Sequence, residues 1–420
     1  MAAQSKIHPN LASRMQQVSA AGVAPQAIRV IVKYRIDPLQ IVAGLLGLSA
    51  TYYTFRLLYA AAHSMTRDGI LALSQREDVE MIWYDEPVHT LLDVSVPLIG
   101  APVVWQAGIT GKGIKVGIVD TGIDPDHPDF AGRIVQMKDF TGQGPNDNHG
   151  HGSHVAGIVG GTGSASGGKY RGVAPECLYY TAKVLRGDGS GNTSDVMAGV
   201  EWAVQQGVQV VNLSLGSDGA CDGTDALSVT CDAAMGKGVV VCVAAGNAGP
   251  DASTVGSPGC AKTVITIGAT TKTDQVAVFS SRGPTSDNRV KPDLCFPGGS
   301  IISCRAKGTS MGTTINDSYT QASGTSMATP HAAGACALLL QAKPGLTPQQ
   351  VKDILMNTAK YLNLDANTQG TGRAQVDKAY QQAMAMQPTP TPSPTPIPTP
   401  TPAPEGNGCF GLLKSLLGGQ

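Results

Sequence analysis

The sequence predicts an α/β protein: a large, mainly parallel sheet flanked by helices, preceded by a small α+β unit. Three observations carry this. Between about residues 93 and 384, short apolar runs alternate with helical stretches, the signature of a parallel sheet wrapped by helices. Ahead of it, residues 25–92 carry a shorter pattern of β-branched runs and helical stretches. The chain has 420 residues, 42% hydrophobic and 15% charged, enough for one large core plus additions.

Residues 1–24 are polar and unpatterned and read as a leader. In the 25–92 unit, Val30, Ile31 and Val32, continuing to Tyr34, read as a strand, and residues 37–48 as a helix. A strand at 51–58, a helix at 67–74 and a closing strand at 79–84 follow. In the large unit (93–384), residues 116–119, 210–215, 239–245 and 264–269 read as buried strands, and 193–206 and 325–341 as helices. Another helix opens at Thr347, where Pro348 takes the first helical position and Gln350 completes a capping box. Residues 385–405 are a Thr/Pro-rich linker that holds nine of the 27 prolines, an extended polyproline II spacer. The tail at 406–420 is apolar but far short of the ~20 residues of a membrane span.

Lys+Arg 30 against Asp+Glu 31 gives a net charge of -1. There is no basic surplus to hold phosphate backbones, so nucleic acid is excluded as the expected partner. The N-terminus shows no basic start followed by an apolar core, so no signal peptide is recognised. The apolar run at 41–50 is half a membrane span. Compartment stays open. None of the nine cysteines forms a C-x-x-C pair, against a zinc ribbon or a thioredoxin-like site. Cys221 with Cys231, and Cys295 with Cys304, are the candidate disulfide pairs. Cys242 and Cys336 sit inside apolar runs and read as buried thiols.

Four islands carry chemistry. Asp120-Thr121-Gly122-Ile123-Asp124 ends an expected strand, and His149-Gly150-His151-Gly152-Ser153-His154 follows it. Ala244-Ala245-Gly246-Asn247 follows another strand, and Gly324-Thr325-Ser326-Met327-Ala328-Thr329-Pro330 opens a helix. A hydroxyl is a poor nucleophile at neutral pH and needs a base to take its proton. That base needs a carboxylate to fix its tautomer, and the oxyanion needs donors already aimed at it. Asp120, His151 and Ser326 suit the first three roles. The side chain of Asn247 and the backbone N–H of Ser326 suit the last.

In the order Asp, His, Ser, these islands resemble the subtilisin-type serine proteases, the subtilases, over about residues 94–360. Gly168-Lys169-Tyr170-Arg171-Gly172 and Phe279-Ser280-Ser281-Arg282-Gly283-Pro284 strengthen the resemblance. The Gly/Ser-rich loop after the histidine island and the missing signal resemble the bacterial AprX-like branch. The resemblance implies a subtilisin-like fold and a serine endopeptidase with Asp120, His151 and Ser326 as triad. It also implies an oxyanion hole of Asn247 and Ser326. Ser214, Leu215 and Gly216 resemble the segment that pairs with substrate backbone, and Gly189, Ser190 and Gly191 its partner. Ala244, Ala245 and Gly246 line the P1 pocket. Small uncharged walls imply broad specificity with an apolar or aromatic P1. Residues 25–92 resemble the family's ferredoxin-like propeptide, an intramolecular inhibitor cut between about His89 and Ser95, after Leu92. Proteins and peptides are the implied substrates. The chemistry needs no cofactor. Candidate ligands for structural calcium are Asp129, which matches a calcium-holding position, and Asp274, with the acidic pair Asp222 and Asp225 as another possibility.

Rival readings are disfavoured on residues. An aspartic protease needs a second D-T-G, which the chain lacks. Three histidines in six residues suggest metal, but no H-E-x-x-H supports a zinc protease. His154 and His331 read as packed helix residues, His149 as a solvent-side neighbour. A sedolisin would carry Glu in place of His151. The remaining alternative is a catalytically silent binding protein on the same scaffold.

Overall fold

The computed structural model describes residues 6–7, 11–12, 15, 27–36, 50–55, 59–84 and 94–387. The expected helix at 37–48, the bulk of the linker and the tail lie outside them. The chain divides into two compact units, Met1–Thr90 and Leu91–Gln420.

The first unit is a four-stranded antiparallel sheet of β1 (Ile28–Tyr34), β2 (Ala50–Phe55), β3 (Ala60–Met65) and β4 (Val79–Tyr84). Its spatial order is β2-β3-β1-β4, a ferredoxin-like arrangement. Helix α1 (Arg67–Ser74) links β3 to β4, capped by Thr66, whose hydroxyl accepts from Gly69 N. Sequence reading missed β3. Its Ala60-Ala61-Ala62 run has weak strand propensity, but pairing on both sides and burial of all three override that. The leader also departs from expectation, because Leu11 and Met15 are buried in this unit's core.

The second unit is built on seven parallel strands: β5 (Lys115–Asp120), β6 (Ile134–Asp139), β7 (Leu178–Lys183), β8 (Val210–Leu213), β9 (Val240–Ala244), β10 (Ile265–Thr270) and β11 (Leu294–Pro297). They lie in the order β11-β10-β9-β8-β5-β7-β6. Alternation sorts their side chains onto two faces. Val116, Ile118, Val210, Val240 and Cys242 join one core with α2 (His151–Gly160) and α5 (Thr325–Ala342). Val119, Val211, Leu213, Val241 and Val243 join the other with α3 (Thr193–Gln205) and α4 (Ala226–Gly236). Helices α6 (Pro348–Asn357) and α7 (Val376–Ala385) add to the first face. The Thr347 capping box and Pro348 start form as the sequence predicts. A small antiparallel sheet, β12 (Ile301–Cys304), β13 (Thr313–Thr314) and β14 (Tyr319–Ala322), completes the unit.

From β5 the chain runs outward to β6 and β7, then crosses to β8 on β5's other side and continues to β11. Such a reversal opens a crevice at the carboxyl ends of the adjoining strands. Asp120 ends β5, and Ser214 directly follows β8. No helix among the described residues is long and apolar enough to cross a membrane.

The cysteines pair differently from expectation. Among the described residues the disulfide is Cys221–Cys260, while Cys231, Cys295 and Cys304 are buried free thiols, as are Cys242 and Cys336. Cys231 belongs to the buried side of α4, so it cannot reach out to Cys221.

Candidate active site

Asp120 is fully buried at the end of β5. Its Oδ1 accepts from Thr121 N at 2.7 Å and from His151 Nδ1 at 2.7 Å. A carboxylate only accepts, so Nδ1 carries the proton and Nε2 is left as a base. Burial pushes the His151 pKa down, but the charge and hydrogen bond of Asp120, helped by Asp147, raise it overall.

His151 is the first residue of α2. The turn before it needs Gly150, at φ 106°, where a Cβ would meet Thr309 Oγ1 at 2.7 Å. Gly152 lets the helix start press on the Asp120 turn: a Cβ there would sit 2.1 Å from Gly122 O. Two residues that sequence reading did not single out fasten these turns together. Asp147 accepts from Thr121 Oγ1, His149 N and Gly150 N through one oxygen, and from Ser153 N and Oγ through the other, at 2.7–3.0 Å. Buried Lys183 donates to Thr121 O, Asn148 Oδ1 and Leu185 O at 2.7, 2.8 and 3.0 Å. Burial lowers its pKa, while the neighbouring carboxylates oppose the shift. An Asp four residues before a His and a Lys at a strand end are weak signals alone, because their partners are distant in sequence.

Ser326 lies in the first turn of α5. Pro330 lacks the N–H that would bond the Ser326 carbonyl in the helix ladder. That carbonyl accepts instead from Ser214 Oγ at 2.9 Å, and Ser326 Oγ donates to Ser214 O at 3.0 Å. The helix start is thus joined to the segment after β8. Among the described hydrogen bonds none joins Ser326 to His151. The hydroxyl of Ser326 is turned to Ser214 O instead.

Asn247 follows β9. Its Oδ1 accepts from Thr325 N at 2.9 Å and from Thr325 Oγ1 at 3.0 Å. A backbone donor fixes which end of the amide is oxygen, which leaves Nδ2 to donate elsewhere. A Cβ built on Gly324 would lie 3.6 Å from both Asn247 Nδ2 and Ser326 N. The side-chain amide of Asn247 and the backbone at Ser326 thus flank the same glycine, Gly324.

Two adjoining cavities share the Leu215–Gly216–Ser217 wall. The larger, about 680 Å³, is lined by His151, Ser190, Gly191, Ser214, Leu215 and Gly216 among others. The smaller, about 520 Å³, is lined by Ala244, Ala245, Gly246, Asn247, Leu215 and Ser326 among others. The candidate triad, oxyanion and substrate-segment residues thus line these two adjoining cavities, with Asp120 buried behind His151; the calcium candidates Asp129 and Asp274 line neither. His149 lines the larger cavity as well. His154 is buried, with Nε2 shared between Ile301 O and Thr320 O, and burial pushes its pKa down to about 3. His331 is bonded to Met327 O and Ser95 Oγ, and burial pushes it down to about 4.

Neither Asp129 nor Asp274 fits calcium. Asp129 is fully buried, and protein donors take its oxygens: Ala165 N at 3.0 Å and Ser164 Oγ on Oδ1, Tyr319 Oη at 2.9 Å and Cys304 Sγ on Oδ2. Asp274 is held by Lys360 Nζ at 2.7 Å and Arg373 Nε at 2.8 Å. Calcium needs six to eight oxygens free of such donors.

By class the chain is a serine peptidase on a subtilisin-like scaffold. It belongs to the subtilase family, peptidase S8, whose family model matches residues 111–380. It is 40% identical over 334 residues to serine protease AprX of Bacillus subtilis (strain 168), covering 73% of this chain and 75% of that protein. It is 39% identical to subtilisin DY of Bacillus licheniformis, covering 68% and 97%. Among solved structures it resembles a cold adapted subtilisin-like serine proteinase, with TM-score 0.52, 35% identity and coverage of 64% of this chain and 88% of that one.

Proposed function

We propose that the chain is an endopeptidase working through an Asp120-His151-Ser326 triad and made as a self-processing zymogen. The observation that carries this is the 2.7 Å Asp120–His151 bond on the same cleft as Ser326 and the free amide of Asn247. The substrate lies extended between Ser214–Gly216 and Gly189–Gly191, its backbone adding a strand to each side. His151 Nε2 takes the Ser326 proton as Oγ bonds to the scissile carbonyl carbon. The oxyanion so formed accepts from Asn247 Nδ2 and Ser326 N. As the C–N bond breaks, the imidazolium gives its proton to the departing amine. Water then repeats the sequence on the acyl-enzyme. Asp120 stabilises the imidazolium at each transfer.

The small walls of the 520 Å³ cavity favour an apolar or aromatic P1 residue. Residues 25–92 act as the propeptide and intramolecular inhibitor, and the cut falls between His89 and Ser95, after Leu92. The reaction needs no cofactor. Any structural calcium lies away from Asp129 and Asp274, whose oxygens are taken.

The test is fluorophosphonate labelling with intact mass and N-terminal sequencing. Wild type should label and begin near residue 93, and Ser326→Ala should do neither. Folded wild type that stays unlabelled and begins at residue 1 or 2 would refute the reading.

A further inference from the structure

We propose that Asp225 is a specificity-determining residue, giving the cleft a preference for a lysine or arginine side chain at one acyl-side position among P2 to P4. The inference deepens the protease reading and rests on it. Asp225 caps α4: its Oδ1 accepts from Ser228 N at 3.0 Å and from Ser257 Oγ at 2.6 Å. Its Oδ2 has Cys260 Sγ at 3.9 Å, but that sulfur is oxidised in the Cys221–Cys260 disulfide and has no hydrogen to donate. Oδ2 therefore keeps its capacity to accept. No Lys or Arg pairs with Asp225 among the described residues.

The surroundings give this carboxylate a use. Asp225 lines the larger cavity together with Leu185, Val196, Leu215 and Leu227, while the smaller cavity beside Ser326 receives P1. Neither lining contains a lysine or arginine. A long basic side chain suits such a place: its methylenes lie on leucine and valine, and its charged head meets the carboxylate. Burial raises the Asp225 pKa, but hydrogen bonds from Ser228 and Ser257 more than offset that, so the group is charged at neutral pH.

The test uses the processed enzyme and a peptide series with one favourable P1 residue and Lys, Arg, Leu or Glu placed in turn at P2, P3 and P4. Wild type should favour the basic residue over Leu at one position by about fivefold in kcat/KM, the scale of a partly exposed ion pair. Glu there should be the poorest. Molar salt should shrink the preference, because the Debye length falls to about 3 Å. Asp225→Asn keeps an acceptor for Ser228 and Ser257, and should bring the Lys-to-Leu ratio to about one. A wild-type enzyme that cleaves these peptides without charge dependence overturns the inference alone, as does Asp225→Asn with its preference intact. An enzyme that neither labels with fluorophosphonate nor cleaves any peptide overturns the protease reading, and this inference with it.

Discussion

Asp120 and Asp129 sit close together in the chain and are both fully buried, yet they are held in opposite ways. Asp129 has both carboxylate oxygens engaged by donors from the 164–165 loop, Cys304 and Tyr319. Asp120 bonds Thr121 N and His151 through Oδ1, and its Oδ2 has no partner among the described residues. The contrast separates a carboxylate that fixes a loop from one that holds a histidine, the base of the proposed triad.

That separation can be broken by substitution, with the largest effect at Asp120. Asp120→Asn should lower kcat about 10⁴-fold, since an amide in that place favours the wrong imidazole tautomer, and leave the melting temperature nearly unmoved. Equal losses of stability and activity would erase the distinction. Asn247→Ala should lower kcat about 10²–10³-fold with a smaller change in KM, the known cost of removing one oxyanion donor from a subtilisin. Asp129→Ala should act the other way. It strands several buried donors and should cost about 3 kcal/mol in urea unfolding of the inhibited enzyme, with kcat of the folded fraction within a few-fold. Tyr319→Phe, which removes one of those bonds, should cost about 1 kcal/mol.

The pH profile sharpens the same comparison. Because the folded pKa of His151 is raised, the catalytically useful neutral form is lost as pH falls through a midpoint above the ordinary 6.5. In Asp120→Asn the opposing effect of burial remains, and the acid limb of residual activity should move to lower pH. In Asp129→Asn it should stay where it is in wild type. The smallest expected effect concerns metal: the stability penalty of Asp129→Asn should be the same in calcium and in chelator. A penalty present only with calcium would show that the ion, not Tyr319 and its neighbours, holds that loop.

Much of the site was legible because its residues sit in short contiguous runs whose local chemistry is distinctive. Asp120 at a strand end, His151 at a helix start and Asn247 after a strand each read from their neighbours. What was not legible depends on contacts distant in sequence. Asp147 and Lys183 acquire their roles only when β5, β7 and the start of α2 come together. The same reason explains the disulfide. Cys231 was the nearer partner for Cys221, but α4 turns it inward, and Cys260 arrives from the loop after β9. The missed β3 shows tertiary pairing overriding weak alanine propensity, and Leu11 and Met15 show two apolar side chains finding a core without a periodic pattern to announce them.

Pro330 removes one rung from the helix that carries Ser326, and the freed carbonyl is tied to Ser214. The consequence concerns how such an enzyme can change. Since Ser326 and Ser214 are bonded to each other in both directions, a shift in the helix start carries the end of the β8 segment with it. If the proposed protease reading holds, the segments beyond Ser217 can vary without loosening that clasp, so selectivity and chemistry can change separately.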